Sequence, residues 1–291
     1  MDDASWGTPE GEEVVPGRRA VRLLGGGRRY EAYLAWDEAL YSLVVVKVLR
    51  PALADDPSTR AGLAGEVDVL GRLAHPVIVR SFAADLDGDR PYVVLEFLDG
   101  PRLSTLLRRY GVVVEQVLPL ALQMCSALHY MAGAGVLHLD LKPRNVIMAG
   151  PPRLIDLSVA RRADQVPDIT SPIGTDAYMA PEQCDPARFG TIGPPADIWG
   201  LGATLYEALT ARQAFPREDG GERFPQLTTR PAPFPDRRRV PPAVGEAVLS
   251  CLADDPAARP TAAELAETLE PLVEALPRPK LGMFRPGGRR R

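Results

Sequence analysis

Lysine and asparagine are nearly missing from this chain of 291 residues. Lys and Arg together number 34, yet only Lys47, Lys142 and Lys280 are lysines, and Asn145 is the single asparagine. Cysteine and histidine are scarce too: Cys125, Cys184 and Cys251 lie far apart, and the histidines are His75, His129 and His138. No C-x-x-C spacing occurs, which excludes zinc-ribbon and dithiol redox motifs, and three histidines leave little for a His/Cys metal site. An odd number of scattered cysteines is the usage of a reducing, cytoplasmic compartment. No apolar run approaches the ~18 residues that span a bilayer, and no signal-peptide pattern opens the chain, so stable membrane insertion is not expected. The formal charge of −4 runs against the basic excess of nucleic-acid-binding domains.

What is present is a core-forming composition, 45% apolar and 25% charged, enough for one large domain or two lobes. Residues 1–15 carry Asp2, Asp3, Glu10, Glu12 and Glu13 with no basic residue and read as a disordered acidic leader. Residues 277–291 are the reverse, a basic flexible tail with Arg278, Lys280, Arg285 and Arg289 to Arg291. Between them runs one folded region, 16–276, with no linker and no repeat. Its first part is strand-like over Arg19 to Leu24, Tyr30 to Trp36, Leu43 to Leu49, Ile78 to Phe82 and Tyr92 to Phe97, with Gly25-Gly26-Gly27 and Asp87-Gly88-Asp89 as turns. Leu63, Val67, Leu70 and Leu73 recur at helical spacing within it. After Gly100 the pattern turns helical: a stripe of Leu120, Met124, Leu128 and Met131, a helix over Ile198 to Leu209, and a last helix opened by the capping box Thr261-Ala-Ala-Glu264. The expected class is α+β, with a small β-rich lobe (16–95) bearing one main helix, a connection at 96–100, and a larger α-helical lobe (101–276).

The scarce residues fall where chemistry is densest. His138-Leu139-Asp140-Leu141-Lys142-Pro143-Arg144-Asn145 sets a carboxylate, an ammonium and a carboxamide on one loop, and Asp156 follows the apolar pair Leu154-Ile155. These groups suit phosphoryl transfer: Asn145 and Asp156 can hold Mg²⁺, Asp140 can orient a hydroxyl, and Lys142 can neutralise the moving phosphoryl.

In this stretch the chain resembles the protein kinase family. Val44-Val45-Val46-Lys47 is similar to the third-strand motif whose lysine reaches the α- and β-phosphates, and Glu66 stands where that lysine's glutamate partner is expected. Leu24-Gly25-Gly26-Gly27-Arg28-Arg29-Tyr30 resembles the glycine-rich loop, and Leu95-Glu96-Phe97-Leu98 the hinge, with Leu95 as gatekeeper and the backbones of Glu96 and Leu98 facing adenine. Gly174-Thr175, Ala180-Pro181-Glu182, Asp197-Ile198-Trp199-Gly200-Leu201-Gly202 and Arg259 resemble the family's larger lobe, Arg259 being the partner expected for Glu182. Asp197 is expected to accept backbone N–H bonds from the catalytic loop, and His138 to be packed. The Arg-, Ala- and Pro-rich usage is similar to that of eukaryotic-like Ser/Thr kinases of high-GC actinobacteria.

The resemblance implies a bilobal kinase fold and transfer of the γ-phosphoryl of ATP to a Ser or Thr hydroxyl of a protein substrate, with Mg²⁺, or Mn²⁺ in its place. Asp140 and Lys142 would be catalytic. Gly25, Gly27, Val45, Lys47, Glu66, Leu95, Glu96, Leu98 and Ile147 would form the ATP site, and Asn145 and Asp156 would hold the metal. Lys142 and Thr175 favour Ser/Thr over Tyr acceptors. A lone Asn lands on the metal position by chance about once in 291 placements. No nucleic-acid partner is implied, and the motifs encode neither the substrate nor the oligomeric state.

Several positions depart from the family pattern. Leu139 replaces the arginine that grips an activation-loop phosphate, so a non-RD kinase is expected, with phosphorylation of Thr170 or Ser171 not the main on-switch. Asp156-Leu157-Ser158 stands for D-F-G. Tyr30 replaces the third loop glycine, Val45 the usual alanine against adenine, and Ser81 an apolar residue linking the lobes. These motivate a rival reading, a pseudokinase that binds nucleotide or scaffolds without transfer. A small-molecule kinase shares the H-x-D-x-x-x-x-N loop but generally lacks the Gly-Thr…Ala-Pro-Glu segment.

Overall fold

The computed structural model describes residues 5–235 and 240–276; the expected basic tail at 277–291 lies outside the described residues. A small lobe comes first. Strands β1 (Glu13–Val15), β2 (Arg18–Gly26), β3 (Tyr30–Asp37), β4 (Ser42–Leu49), β5 (Ser81–Asp85) and β6 (Tyr92–Glu96) form one sheet in the order β1-β2-β3-β4-β6-β5. Every pairing is antiparallel. Helix α1 (Pro57–Arg72) lies between β4 and β5; Asp56 caps it by accepting from the Thr59 N–H, and Pro57 pre-sets its first turn.

Residue parity assigns the two faces of the sheet. On β4, Val45, Lys47 and Leu49 share the face turned to α1 and the other lobe, while Val44, Val46 and Val48 share the outer face. That outer face is itself a core: Tyr33, Ala35, Val44, Val46, Val48, Tyr92 and Val94 pack with Val14, Val15 and Trp6 from the leader. The leader was expected to be structureless over 1–15; residues 5–15 are instead the cover of this face. Each buried valine contributes about 1.5–3 kcal/mol over leaving it in water, which is the gain that orders the segment. Gly11 N–H to Ala20 O (2.8 Å) and Ala20 N–H to Glu12 O (2.8 Å) lace the leader to β2.

The strand expected over Ile78 to Phe82 is displaced to β5. Val77, Ile78 and Val79 are buried, and their backbones bond across to the other lobe, Leu154 N–H to Val77 O (2.7 Å) and Val79 N–H to Leu154 O (3.0 Å). Their apolar character serves the joint between lobes rather than the sheet.

The larger lobe is helical: α2 (Leu103–Arg109), α3 (Val114–Gly133), α4 (Pro181–Cys184), α5 (Pro186–Phe189), α6 (Pro194–Thr210), α7 (Pro242–Ser250) and α8 (Ala262–Glu274). Four two-residue strands interrupt it: β7 (Val136–Leu137), β8 (Val146–Ile147), β9 (Arg153–Leu154) and β10 (Arg161–Arg162). The stripe Leu120, Met124, Leu128 and Met131 is buried on α3, and the central α6 is buried along almost its whole length. Thr261 and Glu264 make the reciprocal cap that opens α8. Glu182 and Arg259 form a two-pronged buried pair at 2.6 and 3.0 Å. Among the described residues no helix is long and apolar enough to cross a membrane. The architecture is a bilobal α+β fold, as expected.

Candidate active site

Two polar clusters face the cleft between the lobes. The first hangs from the sheet. Lys47 points inward from β4 and Glu66 from α1, so Lys47 Nζ meets both Glu66 oxygens at 2.8 Å and Asp156 Oδ1 at 3.2 Å. Burial alone would lower the Lys47 ammonium, but the Glu66 and Asp156 carboxylates together hold it above its ordinary value. Burial raises Glu66. Burial also works against the Asp156 charge, yet the Lys47 ammonium and the Ser158 hydroxyl hold that carboxyl well below the usual range. One cation therefore serves two carboxylates.

The second cluster sits on the loop after β7. Lys142 Nζ donates to Asp140 Oδ2 (2.6 Å) and to Thr175 Oγ1 (2.6 Å), and the Thr175 hydroxyl donates to Asp140 Oδ1 (2.7 Å). Asn145 Nδ2 donates to the Asp140 carbonyl (2.9 Å) and to Oδ2 (3.2 Å). The loop is held in a strained turn: Leu139 has φ +61°, in the left-handed region that costs a side chain free energy. Asp197 on α6 fixes it, accepting from His138 N–H (2.8 Å) and Leu139 N–H (2.7 Å) as expected. His138 is fully buried, with Nδ1 accepting from Asp140 N–H (3.2 Å).

The β8–β9 hairpin joins the clusters. Val146 pairs with Leu154 and Ile155 N–H donates to Asn145 O (2.9 Å), which sets Asn145 and Asp156 on neighbouring ends. Asp156 also has positive φ, +66°, and Leu157 is buried in the core between lobes. Asn145 commits its amide nitrogen to Asp140, so the oxygen, the end suited to a hard cation, faces away from it. Among the described residues no group of three or more His, Cys, Asp or Glu could hold a metal alone. Asn145 and Asp156 together could hold a Mg²⁺ only with further ligands from phosphates and water.

The remaining expected site residues line the roof and hinge. Val45 lies opposite Leu95 in the β4–β6 register, and Ile147 is bridged to Arg102 on the floor of the cleft. Glu96 turns its side chain away, onto Arg153 (2.5 Å), leaving its backbone to the cleft edge; Leu98 follows in the same connection. Gly26 is obligatory, since a Cβ there would stand 2.1 Å from Tyr30 O, whereas a Cβ on Gly27 would meet nothing within 4 Å. Tyr30 puts its ring over Lys47, the ammonium 4.4 Å from the ring centroid. Three connections escaped the motifs: Thr175 bonding Asp140, Arg153 bracing the hinge, and Gln183 Nε2 donating to both Leu139 O (2.8 Å) and Ile173 O (2.9 Å). The three cysteines are all buried, which pushes their thiols up to about 12 and leaves them unreactive.

The protein kinase domain model matches residues 18–269. The chain is 33% identical over 258 residues to a probable serine/threonine-protein kinase PkwA of Thermomonospora curvata, covering 86% of this chain and 34% of that protein. It is 33% identical over 258 residues to the serine/threonine-protein kinase PknB of Mycolicibacterium smegmatis, covering 84% of this chain and 41% of PknB. A serine/threonine-protein kinase pkn3 of Myxococcus xanthus is 33% identical over 274 residues, covering 87% and 49%. The chain thus spans less than half the length of these relatives. A catalytic loop pinned by Asp197, a Lys47–Glu66 pair and a family match across both lobes lead to one conclusion: this chain belongs to the protein kinase family.

Proposed function

We propose that the chain is a Ser/Thr protein kinase of the non-RD type, transferring the γ-phosphoryl of Mg-ATP to a protein hydroxyl. The observation that carries this reading is Asp140. Its two oxygens already receive Lys142, Asn145 and Thr175, so it is held oriented as an acceptor for a substrate O–H. Adenine would lie between Val45 and Ile147 beside Leu95, against the backbones of Glu96 and Leu98. Gly25 and Gly27 would cover the phosphates, and Lys47, held by Glu66, would meet the α- and β-phosphates as a compact charge that an Arg fork would not replace. Asn145 and Asp156 would hold the Mg²⁺, or Mn²⁺, which when bound would supply positive charge against the phosphates. As the substrate oxygen attacks the γ-phosphorus and the bond to the β-phosphate oxygen breaks, Asp140 takes the hydroxyl proton and Lys142 balances the charge on the moving group.

The protein acceptor is supported by a cavity of about 490 Å³ that opens beside Thr175, Asp176 and Phe215, one residue removed from Asp140. The two lobes and their hinge, 16–276, are the catalytic unit on this reading, with the leader as their cover, and the buried thiols fit a cytoplasmic setting. The pseudokinase alternative draws on the Tyr30 ring above Lys47. Incubation with labelled ATP and Mg²⁺ separates the two: wild type should label itself or a protein substrate, and Asp140→Asn should not. Labelling retained by that variant overturns the assignment of Asp140.

A further inference from the structure

The leader does more than cover the sheet. Trp6 anchors it at the end of β4: the indole Nε1 donates to Leu49 O at 2.6 Å, and the Trp6 backbone N–H donates to Glu31 Oε2 at 3.3 Å. Arg90 lies over the indole at 4.2 Å and donates from Nη1 to Val14 O at 3.1 Å. Glu31 is the pivot. It is buried, it accepts from the Tyr33 hydroxyl at 2.8 Å, and its other oxygen accepts from Arg50 Nη1 at 3.3 Å. Arg50 then reaches the glycine-rich loop twice, through Nε to Gly27 O at 2.9 Å and through its backbone N–H to Arg29 O at 2.9 Å.

An unbroken path thus runs from the leader to the carbonyl of a loop glycine: Trp6 to Glu31, Glu31 to Arg50, Arg50 to Gly27. The glycine-rich loop has no packed side chain of its own at Gly27, so its height above the cleft is set by what holds its backbone. A buried carboxylate that loses one donor does not stay put, because its desolvation must then be met by the donors that remain. Trp6→Ala keeps the backbone N–H but loses the indole anchor on Leu49 O that holds it in place, so the leader lifts, Glu31 loses that donor, and Arg50 is drawn toward Glu31 and away from Gly27 O.

We propose that the leader is a positioning strap for the glycine-rich loop, with Trp6, Glu31 and Arg50 as positioning residues that set nucleotide affinity from the outer face of the sheet. The proposal rests on the kinase reading for its consequence in turnover, but not for its effect on the loop.

The test compares wild type with Trp6→Ala, Arg50→Lys and the double variant in the full chain. The path predicts that Trp6→Ala raises KM for ATP about tenfold, the worth of one or two lost hydrogen bonds, while kcat per folded molecule stays within about twofold. Arg50→Lys, which keeps a charge near Glu31 but loses the Nε bond to Gly27 O, should raise KM alike. The double variant should be little worse than either single one, since both cut one path. If Trp6→Ala does not fold, Arg50→Lys alone decides. Hydrogen exchange at residues 24–30 gives a reading independent of catalysis and should quicken in both variants. A lower melting temperature with unchanged KM and unchanged exchange at 24–30 would reduce the leader to a cover and overturn the strap. No transfer by wild type, with exchange at 24–30 still quickened, would sink the kinase reading and leave the strap standing.

Discussion

The two polar clusters across the cleft are built on opposite plans. At Asp140 one carboxylate is matched by one ammonium, a hydroxyl and an amide, so charge and hydrogen bonds balance within the loop. At Lys47 two carboxylates share one ammonium, so the cluster carries an excess negative charge under low dielectric. A balanced cluster is complete without a ligand and can present a fixed acceptor. An unbalanced one is stabilised by an added cation, which is what Mg²⁺ at Asp156 and Asn145 would supply. On the proposed function, the difference separates a positioned base from a receiving site.

The largest effect is expected at the balanced cluster. Asp140→Asn keeps size and most hydrogen bonds but removes the proton acceptor. A positioned acid or base is worth roughly 10²–10⁴ in rate, so kcat should fall by that factor. Nucleotide affinity, set on the other cluster, should change little, and both are read by steady-state kinetics beside direct ATP titration. If affinity falls as steeply as kcat, the clusters are not independent.

At the unbalanced cluster the prediction has a pH signature. Lys47→Met leaves Glu66 and Asp156 without their cation, and breaking a buried pair in this way typically costs about 3–5 kcal/mol. Glu66 is already raised by burial above its ordinary 4.5, and losing Lys47 raises it further. A carboxyl raised in the folded state favours folding below its unfolded value and loses that support as pH rises through the folded one. The variant should therefore be most destabilised at neutral and alkaline pH, and recover part of the loss as Glu66 takes up a proton on acidification. Urea unfolding at several pH values checks this. A deficit that does not shrink toward acid would mean that unpaired carboxylate charge is not what destabilises the variant.

A smaller effect belongs to Tyr30, whose ring rests over the same ammonium. A partly buried cation–π contact is worth about 0.5–2 kcal/mol. Tyr30→Ser should lower KM for ATP by a few-fold, since phosphates no longer compete with the ring for Lys47. An unchanged or raised KM would make the ring a phosphate-side support rather than an obstacle.

The inner face of the sheet and the catalytic loop were legible because their chemistry needs fixed residue types at fixed spacings. Lys47, Glu66, Asp140, Lys142, Asn145 and Asp156 could be found from scarcity and motif, and the contacts of Lys47 with Glu66 and of Asp197 with the loop followed. The outer face was not legible in the same way. Its signal was there, in a β4 run of Val44-Val45-Val46-Lys47-Val48-Leu49 that fails to alternate, as a sheet covered on both faces does. A leader judged on its acids hid the Trp6, Val14 and Val15 that cover it. Ile78 to Phe82 misled for a related reason: a short apolar run records burial, and burial against the other lobe looks the same as burial in a strand.

The smallest effect expected lies in the activation segment. A phosphate-driven switch needs a cation on the catalytic loop to receive the phosphate, and that position is Leu139, buried at φ +61° with its N–H on Asp197. The segment is instead held to the loop by Thr175, which bonds Lys142 and Asp140, and by amide and backbone contacts. Gln183 ties Leu139 O to Ile173 O, and Gly174 passes so close that a Cβ would stand 2.7 Å from Leu139 O. Nearby Arg162 is already paired with Asp164 and Asp68. Thr170 and Ser171 are exposed, and replacing such residues usually shifts stability by no more than about 0.5 kcal/mol. Thr170→Ala, Ser171→Ala and the double variant should keep turnover within about twofold of wild type, as should phosphatase treatment. A tenfold rise in kcat on phosphorylating either residue would mean that a cation outside the catalytic loop receives the phosphate, and that the balance seen at Asp140 is only one of two states.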